Sequence, residues 1–557
     1  MKAFARAKRS AGAADGAELA RRFGSRLVTV RPPALARVRG GAAADLHNPY
    51  AIEDEPGAYH TTGWLSAFES RHSPYAVAVE TAADIAAAVR FARDRGIRLA
   101  VKGTGHDYLG RSSRPGSLLV WTHAMREILV HDAFIPAGGE RGFPAVTIGA
   151  GARWLEVYQA LAGHGRVVTG GGCTTVGAVG GFTQGGGFGS FSRRFGTAAG
   201  NVLEIEVVTA DGEILVANST QHRDLFWALR GGGGGTFGIV SKMTFLTHPS
   251  PGTVSVVSGA IRASNSADYR RLVGAVVRQV PELDYRWGEQ ISFGPDNSVR
   301  LMLLASGLDA DEARAVWQPV LDWADRHPQA YESGIDVASI PFRQFWDYRW
   351  WQEYAPQAIC RDTRPGQAHG NFWWAANQGE VSWYLDAYKS RWIPASQFGE
   401  SPDILADALV SAARIWPFAI HLNKGLSQVP PGIAELERAT SVNPAACDAA
   451  ALLIAASAQQ NVFPGVPGHE PDLVLGAARA GQVGAAVNLI REITPGSGSY
   501  VNETDYFEPD WQRSFWGVNY PRLLAIKQKY DPAGVFLVHH GVGSERGRRR
   551  RRLLPRI

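Results

Sequence analysis

The sequence lacks the features that mark membrane proteins, disulfide-rich proteins and zinc proteins. None of its hydrophobic runs reaches the about 18 residues of a membrane-spanning helix, so we expect no transmembrane segment. Its three cysteines, Cys173, Cys360 and Cys447, are too few for a disulfide scaffold or a four-cysteine zinc site, and we predict no metal site. With 557 residues, 45% apolar and 20% charged, the chain has the composition of a globular protein of roughly two to four domains.

Basic residues are concentrated at the two ends of the chain, which argues against a nucleic-acid function. Seven arginines lie in residues 546–557, and the first 40 residues hold ten Lys or Arg against two acids. The whole chain carries a net charge of +5, but the part between these ends is left with about −10. Because aromatic residues do not interleave with the basic ones, we predict disordered tails over 1–45 and 546–557 and no nucleic-acid partner.

A convincing cleavable signal would need a continuous apolar stretch after the first basic residues. The N-terminal region is alanine-rich and interrupted by arginines instead. We therefore expect a cytoplasmic location, with export as the open alternative.

Glycine and tryptophan divide the chain into two regions. Residues 101–250 hold 30 of the 63 glycines, whereas residues 251–450 hold only 13. Ten of the 17 tryptophans lie between residues 251 and 400. Together with the turn-forming residues Pro249 to Gly252, this change of composition predicts a domain boundary near residue 250.

Helical and strand patterns occur in both regions, which predicts an α+β fold. Thr81 and Asp84 form a capping box for a helix that Gly96 ends, and Asp211-Gly212 is the turn of a predicted hairpin. In the second region, residues 380–388 alternate with period two. This pattern predicts a strand with one polar, aromatic face, formed by Glu380, Ser382, Tyr384, Asp386 and Tyr388.

Three glycine-rich segments accompany the strands of the first region. They are residues 102–113, 170–196 and 230–240, below called the first, second and third glycine segments. Glycine lets backbone N–H groups approach a ligand closely, so converging segments favour a ligand with a pyrophosphate and flat rings. The third segment matches G-x-G-x-x-G, but a helix precedes it and a strand follows, which is the reverse of a dinucleotide-binding unit.

Two nucleophilic side chains, His106 and Cys173, lie within these glycine segments. One interpretation is structural, since an isolated cysteine is usually a small buried apolar residue. The other is a pair of nucleophiles that add to an activated flavin ring. The residues by themselves leave both open.

At these residues the sequence resembles the berberine-bridge-enzyme-like branch of the vanillyl-alcohol-oxidase superfamily, over about residues 73–544. The resemblance lies in TGHD around His106, GGCTTVGAVGG around Cys173 and a closing segment that runs from SYVNETDYF to YDPAGVF. Within the branch, it is nearest to a subgroup similar to isoamyl-alcohol oxidases. It implies FAD attached twice, through the flavin 8α carbon to His106 and through C6 to Cys173.

The resemblance also implies an architecture and a set of cofactor residues. We expect a two-part FAD-binding domain of the PCMH type over 46–250 and an antiparallel-sheet substrate domain covered by helices over 251–459. Residues 460–545 are expected to return to the FAD domain. The further residues expected to bind the cofactor are Lys102, Gly103, Thr104, Gly105, Asp107, Gly172, Val176, Gly177, Gly180, Gly238, Val240 and Asn502.

The activity implied is that of an FAD-dependent oxidase acting on a small molecule. Hydride passes from a C–H bond that bears a hydroxyl or related group to FAD, and then to oxygen, giving hydrogen peroxide. Val176 stands where the family's oxidases have valine and its dehydrogenases leucine. The alternatives are a dehydrogenase, an oxidative tailoring enzyme for natural products, or a flavin-binding protein without turnover.

The proton acceptor is expected in the closing segment. Sugar oxidases of the family have Tyr-x-Asn-Tyr there, whereas this chain has Tyr500-Val501-Asn502-Glu503. Glu503 is therefore the predicted base, provided that burial raises its pKa. Its alternative role is to hydrogen-bond the surroundings of the flavin. Tyr500 and Tyr384 are further catalytic candidates, and Tyr384 and Glu380 could instead line the substrate site.

Overall fold

The computed structural model describes residues 10–31 and 47–545, to which the structural statements below refer. The predicted tail 546–557 lies outside them. The strands are β1 (Leu27–Thr29), β2 (Thr61–Trp64), β3 (Phe68–Glu69), β4 (Tyr75–Ala78), β5 (Arg98–Lys102), β6 (Ser117–Trp121), β7 (Ile128–Phe134), β8 (Phe143–Gly149), β9 (Arg166–Val167), β10 (Val202–Val208), β11 (Ile214–Asn218), β12 (Ile239–Leu246), β13 (His248–Pro249), β14 (Thr253–Ala263), β15 (Trp287–Phe293), β16 (Ser298–Ser306), β17 (Tyr331–Pro341), β18 (Ile359–Arg361), β19 (Phe372–Trp374), β20 (Trp383–Pro394), β21 (Phe418–His421) and β22 (Ala449–Gln460). The α-helices are α1 (Ala13–Phe23), α2 (Pro49–Glu53), α3 (Ala82–Arg95), α4 (Trp154–Ala162), α5 (Ser192–Phe195), α6 (Arg223–Leu229), α7 (Ser266–Gln279), α8 (Ala310–Asp325), α9 (Tyr348–Tyr354), α10 (Ala395–Gly399), α11 (Pro402–Ile415), α12 (Pro431–Arg438), α13 (Ala445–Asp448), α14 (Leu473–Ile493), α15 (Trp511–Trp516) and α16 (Tyr520–Tyr530).

Two sheets in the first region carry the glycine segments. In one of them β4, β6 and β5 pair in parallel, with β1 antiparallel at the edge. Helix α3 lies between β4 and β5. It begins at Thr81, whose hydroxyl accepts from the Asp84 N–H, and ends at left-handed Gly96, as its capping pattern predicts. The other sheet has the order β11-β10-β12-β8-β7 and contains the predicted hairpin at Asp211-Gly212.

A nine-stranded sheet dominates the second region, with the order β17-β14-β16-β15-β21-β22-β20-β2-β3. Its strands pair antiparallel except β2 with β20. Helices α7, α8, α11 and α14 pack against it and against one another, around a core of their own. The expected α+β class, with an antiparallel sheet covered by helices, is confirmed.

Three segments depart from the predicted boundaries. Strands β2 and β3 precede residue 250, yet they extend the edge of the nine-stranded sheet. Helix α14 follows residue 460 but packs on β20 and β22 rather than returning to the FAD domain. Residues 10–31 were expected to be disordered, but they form α1 and β1 because Leu19 and Phe23 are buried in the core beside α3. The composition of a segment does not show which sheet or core, distant in sequence, the segment will pack against.

Among the described residues, α14 is long and apolar enough to cross a membrane by length and composition. We had expected no such segment because uninterrupted apolar runs are short, and this helix is interrupted by Arg479. Val483, Ala486 and Ile490 are buried where the helix meets the sheet.

The face predicted for residues 380–388 is broken by a register shift in β20. The pairing of β20 with β22 changes register after Leu385. One extra residue reverses the face on which the following side chains lie. Trp383 and Tyr388 consequently share a side, with ring centroids 6.5 Å apart, and Tyr384 points to the other side.

The carboxyl group of Glu437 gives the fold a pH-dependent stability. It accepts hydrogen bonds from the N–H and hydroxyl of Thr197 at 2.7 and 2.8 Å, and burial raises its pKa to about 7. Between the two pKa values, the folded state keeps the carboxyl proton of Glu437, whereas the unfolded state has released it. Stability therefore falls as pH rises from about 4.5 to about 7, by roughly 3 kcal/mol in total.

We expect Glu437→Gln to remove this fall, because the amide does not ionise. Urea unfolding at about pH 4.5 and about pH 8, compared between the two proteins, measures the difference. Curves that decline in parallel would contradict the prediction.

Candidate active site

The three glycine segments converge, as the sequence predicts. The N–H of Gly177, in the second segment, donates to the Thr104 hydroxyl of the first at 3.0 Å. A Cβ atom on Gly234, in the third segment, would lie 2.7 Å from Cα of Gly181 in the second. A Cβ on Gly180 or Gly181 would point into open space. The segments thus form a backbone cradle that side chains leave unfilled.

His106 and Cys173 lie on either side of one hydroxyl group. His106 Nε2 is 2.9 Å from Oγ1 of Thr175, and Cys173 Sγ is 3.7 Å from the same oxygen. Burial, together with the negative charge of Glu380, raises the pKa of the Cys173 thiol to about 12. The two side chains are close enough to act on one ring system, and the cysteine holds its proton until a base removes it.

Tyrosines and a carboxyl group line the space beside Cys173. The Tyr108 hydroxyl donates to Glu380 Oε2 at 3.1 Å, and the Tyr108 ring stacks on Tyr388 with centroids 4.8 Å apart. Burial raises the pKa of Glu380, and the nearby charge of Glu503 adds to this effect. The register shift in β20 is what brings Tyr388 here in place of the predicted Tyr384.

Glu503 belongs to the same cluster and forms an ion pair with Lys424, whose side chain is 8% exposed. Lys424 is the last residue of a short 3-10 helix, Leu422–Lys424, that follows β21 of the nine-stranded sheet. Glu289, on β15, has a φ of +70° and lies beside Gly172. Burial raises its pKa, and the negative charge of Glu503 acts in the same direction. The charge of Glu503 thus acts on both Glu289 and Glu380, and the three carboxyl groups form one cluster with Lys424.

Tyr500 and Asn502 tie the closing segment to the second glycine segment. The Gly187 N–H donates to the Tyr500 hydroxyl oxygen at 3.1 Å, and Asn502 Nδ2 donates to that oxygen at 2.9 Å. Asn502 also donates to the Gly181 carbonyl at 3.1 Å. Burial raises the pKa of Tyr500. With two donors on its oxygen, Tyr500 is placed to hold the cradle.

Two predicted cofactor residues bind the protein's own groups. The buried Lys102 ammonium donates to the carbonyls of Glu55 and Ala58 at 2.8 and 2.7 Å. Asp107 accepts from the side chain of Arg111, four residues on. Their position in a loop predicts contact with a ligand, whereas the partners of both side chains in the structure are other residues of the chain.

Three further predicted residues pack against other parts of the fold. The Tyr384 ring packs where a Cβ of Gly63 would stand. Gly238 lets β12 approach β10, since a Cβ there would lie 2.7 Å from Val207 Cγ2, and Val240 is buried in the same sheet. The predicted residues that do lie in the loops around His106 and Cys173 include Gly103, Gly105, Gly172 and Val176.

Several residues of the site are not predicted by the sequence. Thr175 could have been found from its place two residues after Cys173. Glu53, His60, Arg153 and Lys424 lie in segments with no motif, and only the folded chain brings them to His106 and Glu503.

Comparison with known proteins identifies the family. Residues 73–218 match the FAD binding domain model, and residues 499–543 match the model described as berberine and berberine like. The chain is 32% identical to the FAD-linked oxidoreductase ZEB1 of Gibberella zeae over 486 residues, 85% of this chain and 76% of that protein. The chain belongs to the berberine-bridge-like branch of the vanillyl-alcohol-oxidase family. It is an FAD-binding oxidoreductase.

Relatives of this FAD-linked oxidoreductase extend over nearly the whole chain. VAO-type flavoprotein oxidase VAO615 of Thermothelomyces thermophilus is 34% identical over 489 residues, 85% of this chain and 76% of that protein. The crystal structure of MtVAO615 from Myceliophthora thermophila has a TM-score of 0.79 at 28% identity, covering 97% and 98% of the two chains. Glucooligosaccharide oxidase of Acremonium strictum, described with a 6-S-cysteinyl, 8α-N1-histidyl FAD, has a TM-score of 0.65 at 22% identity over 87% and 94%.

The residues present fit an FAD cofactor. A Cβ on Gly180 or Gly181 would meet nothing within 4 Å, which leaves room for a ligand against this backbone, and His106 and Cys173 both contact the Thr175 hydroxyl. Bound FAD supplies an acceptor for hydride. The cluster of Glu289, Glu380, Glu503 and Lys424 supplies the ionisable groups near these two side chains.

Proposed function

We propose that the protein is an oxidase whose FAD is attached to both His106 and Cys173 and which oxidises an alcohol or related C–H group with release of hydrogen peroxide. The observation that carries this proposal is the Thr175 hydroxyl, which contacts both His106 Nε2 and Cys173 Sγ. The doubly linked flavin described for the Acremonium oxidase supports the same arrangement. Two covalent links hold the ring firmly, so a bulky substrate need not help to bind it.

In the proposed reaction Glu503 accepts the proton of the substrate hydroxyl. The Lys424 ammonium holds the Glu503 carboxylate in place, and Tyr108 and Tyr388 present a stacked aromatic surface on the cysteine side. The partly buried Glu289 and Glu380, whose pKa values desolvation raises, orient polar groups of the substrate by hydrogen bonding.

Val176 is proposed to leave space for oxygen. Its N–H donates to the Cys173 carbonyl at 3.4 Å, and its carbonyl accepts from Trp154 at 3.0 Å, so the backbone is held beside the attachment point. A leucine at this position adds a methylene group, which the fixed backbone cannot move aside.

Two measurements test the proposal. Acid-precipitated protein is expected to keep its yellow colour, and peptides containing His106 and Cys173 are expected to carry the mass of flavin. A panel of alcohols, sugars and phenols, scored by peroxide release, should then identify the substrate class. Colourless precipitate, with the pigment left in solution, would contradict covalent attachment.

Oxygen use is tested without a substrate. Flavin reduced by dithionite and mixed with aerated buffer is expected to reoxidise within seconds, and Val176→Leu is expected to slow this at least about tenfold, or about 1.4 kcal/mol of barrier. Val179→Leu makes the same change three residues on and is the matched comparison. Slow reoxidation of the wild-type protein would favour a dehydrogenase.

A further inference from the structure

A buried carboxylate reaches His106 from outside the glycine segments. Glu53 is the last residue of α2, a short helix that begins with Asn48 as its cap. Its Oε1 lies 3.1 Å from His106 Nε2, and its Oε2 accepts from Nε of the buried Arg153. Glu53 is fully buried, so its carboxylate contacts these partners and not solvent.

A second ring fixes the orientation of the His106 imidazole. His60 stacks on it with centroids 3.8 Å apart and planes 18° from parallel. Burial, followed by the effect of His106, lowers the pKa of His60 to about 3, so this ring is neutral. The His106 ring therefore stacks on a neutral imidazole ring, and two oxygen atoms, those of Glu53 and Thr175, contact its Nε2.

The charge of Glu53 decides which nitrogen of His106 carries the proton. Burial alone would raise the pKa of Glu53, but the Arg153 guanidinium and hydrogen bonds from His106 and His60 bring it well below its usual range. An ionised carboxylate can only accept a hydrogen bond, so Nε2 must be the N–H nitrogen. Nδ1 then keeps its lone pair and is the nucleophilic atom.

We propose that Glu53 is a positioning residue for covalent attachment, which fixes His106 as the tautomer that adds to the flavin through Nδ1. This inference rests on the proposed function, because it concerns the link to His106. The positive charge that forms on the ring as Nδ1 bonds to carbon is stabilised by the carboxylate at Nε2.

Attachment of the flavin to His106 forms one bond and breaks another. The bond formed joins Nδ1 to the 8α carbon of the flavin, and the bond broken is one C–H bond of that methyl group. Its hydrogen leaves as a proton, and the electron pair reduces the ring by two electrons. Molecular oxygen then takes this pair with two protons, the one lost from the methyl group and one from solvent water, and becomes hydrogen peroxide, which restores the oxidised ring.

The same three side chains, Glu53, His60 and His106, have the spacing of a metal site. The Arg153 guanidinium argues against a cation there, because it already neutralises the Glu53 carboxylate from the other oxygen. Asp54 accepts from the same guanidinium at 3.1 Å, so Arg153 is held in place.

Peptide masses of the purified, full-length protein test the proposal. In Glu53→Gln we expect the fraction of His106 that carries flavin to fall at least about tenfold, while Cys173 stays linked. The Cys173 link is an internal measure of folding, since it forms only where the cradle is intact. Glu55→Gln, the same change at an exposed side chain two residues on, is expected to leave both links at wild-type levels.

Glu53→Asp keeps the charge opposite Arg153 and carries the test if Glu53→Gln does not fold. Its side chain is one methylene shorter and holds the carboxylate farther from Nε2, so less flavin on His106 than in wild type is expected, with Cys173 still linked, and wild-type linkage at His106 would overturn the proposal. Full linkage at His106 in Glu53→Gln would overturn the proposal, as would equal loss at both residues or one equivalent of metal bound to the wild-type protein. A wild-type protein without flavin on His106 would instead refute the proposed function.

Discussion

Glu503→Gln is expected to slow reduction of the flavin by substrate about 100- to 10,000-fold, with the flavin content unchanged. The amide keeps the shape of the side chain but cannot accept the proton of the substrate hydroxyl. The rate of flavin bleaching after anaerobic mixing with the panel alcohol that gives the most peroxide measures the effect.

Two comparisons make this result specific. Glu492→Gln is the same change at an exposed position of α14, and we expect the wild-type rate. Lys424→Met removes the ammonium that holds Glu503 and should lower the rate in the same step. A rate near that of the wild type in Glu503→Gln would refute Glu503 as the base and direct attention to Glu289 and Glu380.

Lys527→Met is expected to lower the free energy of unfolding by about 3–5 kcal/mol. The buried Lys527 ammonium donates to the carbonyls of Thr236 and Phe536 and to Asp531 Oδ2 at 2.5 to 2.6 Å. Asp531 is fully buried, so the variant leaves it without its cation. Thr236 lies in the third glycine segment, so unfolding of this region should expose the flavin. The increase in flavin fluorescence during urea unfolding is therefore a suitable measurement.

Lys529→Met, two residues along the same helix α16, is the matched control. Its ammonium pairs with Asp224 at 2.6 Å, but its side chain is 61% exposed. Exposed ion pairs contribute about 0–1 kcal/mol, so we expect little change. Equal losses in the two variants would contradict the importance we give to burial of the Lys527 charge.

Local patterns in the sequence predicted local structure well. The caps of α3 at Thr81 and Gly96 and the turn of the β10–β11 hairpin are confirmed, because neighbouring residues determine each of them. The convergence of the glycine segments is also confirmed. Their glycines serve close backbone contacts, such as the one between Gly181 and Gly234, that larger residues would prevent.

Predictions that depended on a face or on a ligand were less successful. Tyr384 was expected at the site, but a single register shift brings Tyr388 there instead. Lys102 stays a predicted cofactor residue, but the sequence did not show that its ammonium donates to the segment between Glu53 and His60. In both cases the deciding partner is distant in sequence and has no motif of its own.

The sequence alone determined the family and the class of cofactor and singled out His106 and Cys173, because those inferences depend on residue types at fixed short spacings. Only the tertiary structure decided which carboxylates meet them. Glu53 reaches His106 from 53 residues away, and Lys424 reaches Glu503 from 79. The backbone turns and strand pairings of the whole chain set those contacts, and a composition or a motif does not record them.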